Sequence, residues 1–277
     1  YPRCVMEQQQ QRVVVLIPYF ESPQGLLRSL ASIRPDEPCD VLVVDDGSRK
    51  HPLDEDAARA RCHVRGRLAV LRLPHNQGIE GALNTGLEWI RQRGYEFVAR
   101  LDCGDRNRPG RITRQLSFLD DHPDVVLVGG RASYVDLAGV EQFVLPLPAE
   151  HDEIIAYLRN NSAFMHPSVM FRTAVLDRTG LYPTKYPRAE DYALFWEMAK
   201  VGRVANIPEP LIDYELDPDS LSLSGRTQQL RSRLAVQRAN SDGSWAARRG
   251  IARTRVLLAL PYETALRVKT ALNRRGN

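Results

Sequence analysis

The 277-residue chain is 43% hydrophobic and 26% charged, ordinary for a globular protein and enough for one large α/β domain with additions. Its net charge of +4 is unevenly spread: from Arg226 onward 12 Lys and Arg stand against 2 Asp and Glu, which leaves 26 against 32 in the residues before it. Four scattered cysteines without CxxC or Cys/His spacing argue against a disulfide framework and fit a reducing, cytoplasmic setting, and the absence of a run of about 18 apolar residues argues against a membrane-spanning helix.

The folded part is expected to begin near Arg12. Val13 to Ile17 is a β-branched run, read as a strand buried on both faces and ended by Pro18. Leu26, Leu27, Leu30 and Ile33 predict a helix over 24–33. Val41 to Val44 is a second buried strand running into Asp45-Asp46-Gly47-Ser48. A helix is expected around 53–61 and a third strand over 68–73. His75-Asn76-Gln77-Gly78 opens a helix carrying Ala82, Leu83, Leu87 and Ile90. Phe97 to Leu101 is the fourth strand, and it breaks into Asp102-Cys103-Gly104-Asp105. Strand and helix alternate with short links, which predicts a mostly parallel sheet flanked by helices.

Beyond that point, 110–121 reads as helix and 125–129 as strand. Residues 133–136 and 142–145 read as a hairpin across Ala138-Gly139. Helices are expected over 150–159 and 189–201, a short strand over 168–171, and two edge strands over 204–207 and 211–215. The basic tail shows amphipathic stretches over 226–239, 251–260 and 262–272, with Pro261 as a break.

Three acidic clusters carry the chemistry: Asp45-Asp46, Asp102 with Asp105, and Glu190-Asp191. The first two stand at strand carboxyl ends, so they open onto one edge of the sheet, where open α/β sheets bind ligands. A carboxylate there accepts hydrogen bonds from a base or ribose, and a pair can hold a divalent cation. The competing reading of Asp45-Asp46-Gly47-Ser48 is a strand-to-turn cap. His166, before Pro167, reads equally as a buried hydrogen-bonded histidine or a site residue. Tyr192, Trp196 and Trp89 read as core, and Cys103 as a small residue in a tight place.

In order, Leu16-Ile17-Pro18-Tyr19-Phe20, Val43-Val44-Asp45-Asp46-Gly47-Ser48, Asn76-Gln77-Gly78, Leu101-Asp102-Cys103-Gly104-Asp105, His166 to Arg172 and Ala189-Glu190-Asp191-Tyr192 resemble glycosyltransferase family 2. The resemblance covers roughly residues 13–217. It implies the GT-A fold, with a Rossmann-like central sheet, and an inverting transferase that uses a nucleotide-sugar donor, a UDP-sugar being favoured. Domains follow as 12–217, with a nucleotide part over 12–105 and an acceptor part over 106–217, and a basic helical extension over 218–277.

The same resemblance assigns Pro18, Tyr19, Phe20, Asp45, Asp46, Asn76, Gly78, Arg100 and Asp102 to the donor. Asp191 is the implied general base, with Glu190 beside it. Mg²⁺ or Mn²⁺ is the implied cofactor, with Asp102, Asp105 and His166 as ligands. This chain departs from Asp-x-Asp-Asp by carrying Gly104 at the second acid. Either Asp105 reaches the metal instead, or Asp102, His166 and the diphosphate hold it, or metal dependence is weak and Arg106, Arg108 or Arg111 offsets phosphate charge.

The expected activity is sugar transfer to a glycan or lipid-linked acceptor in bacterial surface polysaccharide synthesis. The alternatives are a catalytically silent nucleotide-sugar binder, which Gly104 favours, and a sugar nucleotidyltransferase, against which stands the lack of a Gly-rich phosphate loop after the first strand. The tail either packs on the domain as a helical pair or anchors the protein peripherally on the inner face of an anionic membrane. Nucleic acid is not expected as a partner, because the basic residues lack aromatic interleaving.

Overall fold

The computed structural model describes residues 10–136, 138–215 and 225–260. A nine-stranded sheet runs in the order β3 (Leu68–Arg72), β2 (Cys39–Asp45), β1 (Val13–Tyr19), β4 (Phe97–Arg100), β8 (Met170–Arg172), β6 (Val125–Val135), β9 (Arg203–Glu215) and β5 (Arg106–Asn107), with β7 (Glu141–Val144) on β6. β1 (Val13–Tyr19), β2 (Cys39–Asp45), β3 (Leu68–Arg72) and β4 (Phe97–Arg100) are mutually parallel, so their carboxyl ends share one edge. β8 (Met170–Arg172) then enters antiparallel, between β4 and β6 (Val125–Val135).

Side chains alternate across a strand. Val14, Leu16, Leu42, Val44 and Val98 therefore face one way, onto α3 (Gly78–Gln92) and α7 (Glu190–Val201). Val13, Val15, Ile17, Val41, Val43 and Ala99 face the other way, onto α1 (Pro23–Ser32), α2 (Glu55–Arg61) and α4 (Arg111–Asp121). Both faces are covered, which is why β1 and β2 read as unbroken apolar runs rather than alternating ones. Full burial of each Val, Leu or Ile contributes roughly 1.5–3 kcal/mol, and this three-layer sandwich fixes the strand ends.

The hairpin of β6 with β7 (Glu141–Val144) forms as expected, with Tyr134 stacked on Phe143. The two edge strands do not. Residues 203–215 form one strand, β9 (Arg203–Glu215), paired with β6 along its length and with β5 (Arg106–Asn107) near its end. Pro208 and Pro210 suggest a break because proline cannot donate to a ladder. The pairing with β6 shifts there instead: Gly130 stands opposite Ile207 and Arg131 opposite Pro210, so the extra residues Pro208 and Glu209 are carried as an irregularity of β9.

α5 (His151–Leu158) and the short α6 (Leu176–Thr179) flank the sheet. The tail contributes α8 (Arg226–Ala239) and α9 (Trp245–Ala259), which lie against each other and against the domain. Val236 joins the core, Gln237 donates to the carbonyls of Arg159 and Asn160, and Arg159 pairs with Asp242 at 2.9 Å. The expected helix over 262–272 lies outside the described residues. Among those described, no helix is long and apolar enough to cross a membrane.

Candidate functional site

The end of β1 is wired to the end of β2. Tyr19 is buried and its hydroxyl donates to the His51 carbonyl at 2.5 Å, whereas the next residue, Phe20, is exposed. Asp45 is 2% exposed, and its carboxylate accepts from the amides of Ser48 and Leu53, at 3.0 and 3.3 Å. That is the cap arrangement of a strand entering a turn. Asp46, also buried, accepts from the Gln77 amide at 2.7 Å, and burial raises its carboxyl above the ordinary range. Asn76 accepts from the Gly78 amide at 3.0 Å. At the end of β2, Asp45 thus holds its own turn and Asp46 fastens the loop that starts α3. Glu21 adds a third tie, with the amides of Arg49, Lys50 and His51 all donating to its carboxylate.

β4 ends on a buried cation. Arg100 has no exposed side-chain surface, and its guanidinium donates to the Leu16 carbonyl at 2.5 Å and to Asp102 at 2.6 Å. Its Nε reaches His166 Nε2 at 3.4 Å, and the Tyr182 hydroxyl meets the same nitrogen at 2.8 Å. Burial and then the neighbouring guanidinium lower the His166 pKa, which favours the neutral ring. With Nε2 engaged by these two partners, His166 does not present that nitrogen as a free metal ligand.

Asp102 and Asp105 separate. Asp102 has 31% of its side chain exposed and opens onto a cavity of about 550 Å³. Asp105 is 6% exposed, lies outside that lining, and accepts from the Glu215 amide at 3.4 Å while its Oδ2 has no partner. Burial first, and then the charge of Asp102, lifts its carboxyl well above the ordinary range. Gly104 lies between them at φ +112°, a backbone that side chains strain to adopt. Ser29 of α1 holds the turn, accepting from the Gly104 amide at 2.9 Å and donating to the Asp105 carbonyl at 2.8 Å. Among the described residues no group of three His, Cys, Asp or Glu converges as a metal cage. Asp102 is the carboxylate of the Asp102, Asp105 and His166 set that reaches the cavity with its side chain partly open.

Arg108 pairs with Asp213 and Glu141, and Arg111 is buried, donating to Gln115, Asn107 and the Arg100 carbonyl. Neither lines the cavity. Cys103 is held against the Ser22 carbonyl, and burial pushes its thiol up to about 12, which removes it as a nucleophile. Tyr192 and Trp196 are core residues, and Trp89 is partly buried against the core.

The first residues of α7 line the same cavity as Asp102. Glu190 is 6% exposed, its Oε2 has no partner, and burial followed by the charge of Asp191 raises its carboxyl to about 8. Asp191 is more open and accepts from the Tyr192 amide at 2.7 Å. Both sit on a helix N-terminus, where the helix dipole favours negative charge. α7 can point its first turn here because the remainder is anchored by Leu194, Phe195 and Met198 in the core.

The structure brings Asp102, His166, Glu190 and Asp191 to one cavity, keeps Asp45, Asp46, Asn76 and Gly78 on the adjoining strand-end loops, and turns Asp105 away. It adds residues that local sequence patterns did not single out. Arg188, at φ +64°, lines the cavity and crosses Gly225, where a Cβ would lie 2.1 Å from its Nε. Tyr214, Gln228 and Gln229 complete a wall that comes from β9 and α8. The nearness of Arg188 to Glu190 in sequence was a usable signal; Gln228 and Gln229 offered none.

Solved structures share this architecture. The mannosyltransferase PcManGT from Pyrobaculum calidifontis, solved with GDP-Man and Mn²⁺, superposes with a TM-score of 0.61 at 19% identity, over 95% of this chain and 81% of that one. S. aureus TarS 1-349 gives 0.60 at 20% identity, over 89% and 69%. Among curated proteins, the amylovoran biosynthesis glycosyltransferase AmsE of Erwinia amylovora is 28% identical over 221 residues, 79% of this chain and 80% of that protein. The UDP-Gal:alpha-D-GlcNAc-diphosphoundecaprenol beta-1,3-galactosyltransferase of Escherichia coli is 26% identical over 230 residues, 81% of each. The family profile described as Glycosyl transferase family 2 matches residues 14–180. With a GT-A fold and that match, the chain belongs to glycosyltransferase family 2.

Proposed function

We propose that this enzyme transfers a sugar from a nucleotide donor, a UDP-sugar by preference, to a glycan or lipid-linked acceptor by inverting in-line displacement, in bacterial surface polysaccharide synthesis. The observation that carries the reading is the shared cavity of Asp102 and the Glu190-Asp191 pair. Two relatives are named for amylovoran biosynthesis and for transfer to a diphosphoundecaprenol-linked sugar, which supports the acceptor class. TarS solved with UDP-GlcNAc and PcManGT with GDP-Man support the donor class.

In this reading the loops held by Asp45 and Asp46 receive the nucleotide, with Pro18, Tyr19, Phe20, Asn76 and Gly78 around it. Asp102, oriented from inside by Arg100, meets the donor at the sugar end. Asp191 takes the proton of the acceptor hydroxyl, which needs a base within roughly 2.6–3.2 Å. Glu190 keeps its own proton at neutral pH and can donate a hydrogen bond to a sugar oxygen. Arg188 brings positive charge to the cavity wall, where the departing diphosphate needs it. A divalent cation would be held by Asp102 together with the donor's phosphate oxygens, and when bound it would neutralise the leaving group. The enzyme works from the cytoplasmic side, peripheral to the membrane.

A donor panel read by calorimetry and by nucleoside diphosphate release tests this. Binding and release with one nucleotide sugar, and an Asp191→Asn variant that binds the donor but no longer transfers, are the expected results. Near-normal turnover by that variant removes Asp191 as the base. The second reading, a silent nucleotide-sugar binder, is favoured by Gly104 and the inward Asp105; binding of the donor with no transfer to any acceptor would establish it.

A further inference from the structure

α9 packs on the domain through its smallest side chains. Ala247, Gly250 and Thr254 are buried on one face, and a Cβ on Gly250 would lie 2.0 Å from the Arg159 carbonyl oxygen. That contact fixes the rotation of the helix about its own axis. At about 3.6 residues per turn, the outward face is then determined. Its centre is an apolar stripe of Trp245, Ala252, Val256 and Ala259, with Trp245 76% and Val256 58% exposed. Arg249 and Arg253 flank the stripe on one side, and Arg248 and Arg255 on the other, all exposed. The helix carries no Asp or Glu, and none of the four arginines pairs with an acid among the described residues. Arg249 lies 5.8 Å from the Trp245 ring.

We propose that this face of α9 docks the enzyme on an anionic lipid surface. Trp245 and Val256 enter the headgroup boundary, and the four arginines meet lipid phosphates on either flank. An apolar stripe edged with cations on both sides is the pattern of a helix lying in the interface plane. Arginine also buries its stem along apolar surface while its head stays with the phosphates. A second copy of the chain is a poorer occupant, because two-fold pairing would set the same arginines against each other. The position of the helix agrees with the work of the site. α9 lies on α8, whose first turn supplies Gln228 and Gln229 to the cavity wall. A lipid-borne acceptor would therefore arrive beside the cavity, a point that rests on the reading of the acceptor proposed above.

The test uses the full chain and flotation with phosphatidylcholine vesicles, with and without phosphatidylglycerol. The wild-type protein should float only with the anionic vesicles and be released by salt. One arginine near an anionic surface is worth roughly fivefold in partition. Replacing Arg248, Arg249, Arg253 and Arg255 by Gln should therefore weaken partition by about a hundredfold or more, and Trp245→Ser should weaken it severalfold. Donor binding by calorimetry should be unchanged in both variants, which shows that they are folded. Equal flotation of the four-Gln variant, or no flotation of the wild type, overturns the proposal. So does a wild-type dimer in light scattering that the variant abolishes, or binding of duplex DNA as tight as binding of vesicles. Loss of donor binding in the wild type with vesicle binding intact would sink the proposed function and leave this inference standing.

Discussion

Arg100 Nη2 donates to Asp102 Oδ1 across 2.6 Å from a position with no solvent exposure. The fork also holds the Leu16 carbonyl on β1 and touches His166, so one guanidinium joins β1, β4 and the β8 approach behind the cavity. An ammonium cannot make these bonds at once. Arg100→Lys should lower transfer at least about tenfold and cost on the order of 2 kcal/mol, because part of a buried polar network is left unpaired. Thermal melts and donor calorimetry check this, and wild-type values in both would show that Asp102 is positioned without Arg100.

Glu190 holds its proton more tightly in the folded chain than in the unfolded one, since its carboxyl is raised to about 8 by burial and by Asp191. Its contribution to stability is therefore greatest when both states are protonated. Stability falls as pH rises through the ordinary carboxyl range toward 8, because the unfolded chain releases the proton first. Urea melts from pH 5 to 8 should show wild type losing stability relative to Glu190→Gln, by a few kcal/mol at most on the order of this linkage. Parallel curves for the two proteins would mean that Glu190 is ionised in the fold.

Asp105 is buried, its carboxyl is raised well above the ordinary range by burial and then by Asp102, and it lies outside the cavity lining. Asp105→Asn keeps its shape and removes the cost of that acid. The variant should melt at the wild-type temperature or higher, and its activity should respond to Mn²⁺ and to EDTA as wild type does. A shift of the Mn²⁺ activation curve to higher concentration would instead mark Asp105 as a ligand.

Gly47 has φ +69°, and a Cβ there would sit 2.4 Å from the His75 carbonyl carbon. Gly47→Ala must open the contact between the turn after β2 and the loop that starts α3, which the proposed function gives to the nucleotide. It should destabilise the chain by roughly 1 kcal/mol or more and weaken nucleotide diphosphate binding. Isothermal calorimetry with the diphosphate reads this directly; unchanged affinity would place the nucleotide elsewhere.

Much of the fold was legible because its signals are local. The runs Val13 to Ile17 and Val41 to Val44 are apolar without alternation, and β1 and β2 are covered on both faces. Leu83, Leu87 and Ile90 gave α3 at helical spacing. Of the acids the sequence singles out, Asp102, Glu190 and Asp191 come to share a cavity, whereas Asp105 is turned from it at a glycine turn and His166 Nε2 is engaged by Tyr182. Two prolines in β9 resemble breaks in the sequence, because the strand that keeps 203–215 extended across its own extra residues, β6, is distant in sequence.

By itself, the sequence determined the alternation of strands and helices, the acids at strand ends and the cationic tail, all of which follow from residue type and spacing along a few turns of chain. Tertiary structure alone decided that Arg100 stands behind Asp102, that Asp105 faces Glu215, and that α9 turns Trp245 outward. Each depends on a contact between residues far apart in the chain: Arg100 with Leu16, Asp105 with Glu215, and Gly250 with Arg159. Periodicity names the faces of an element, but only its packing partner chooses which face is buried.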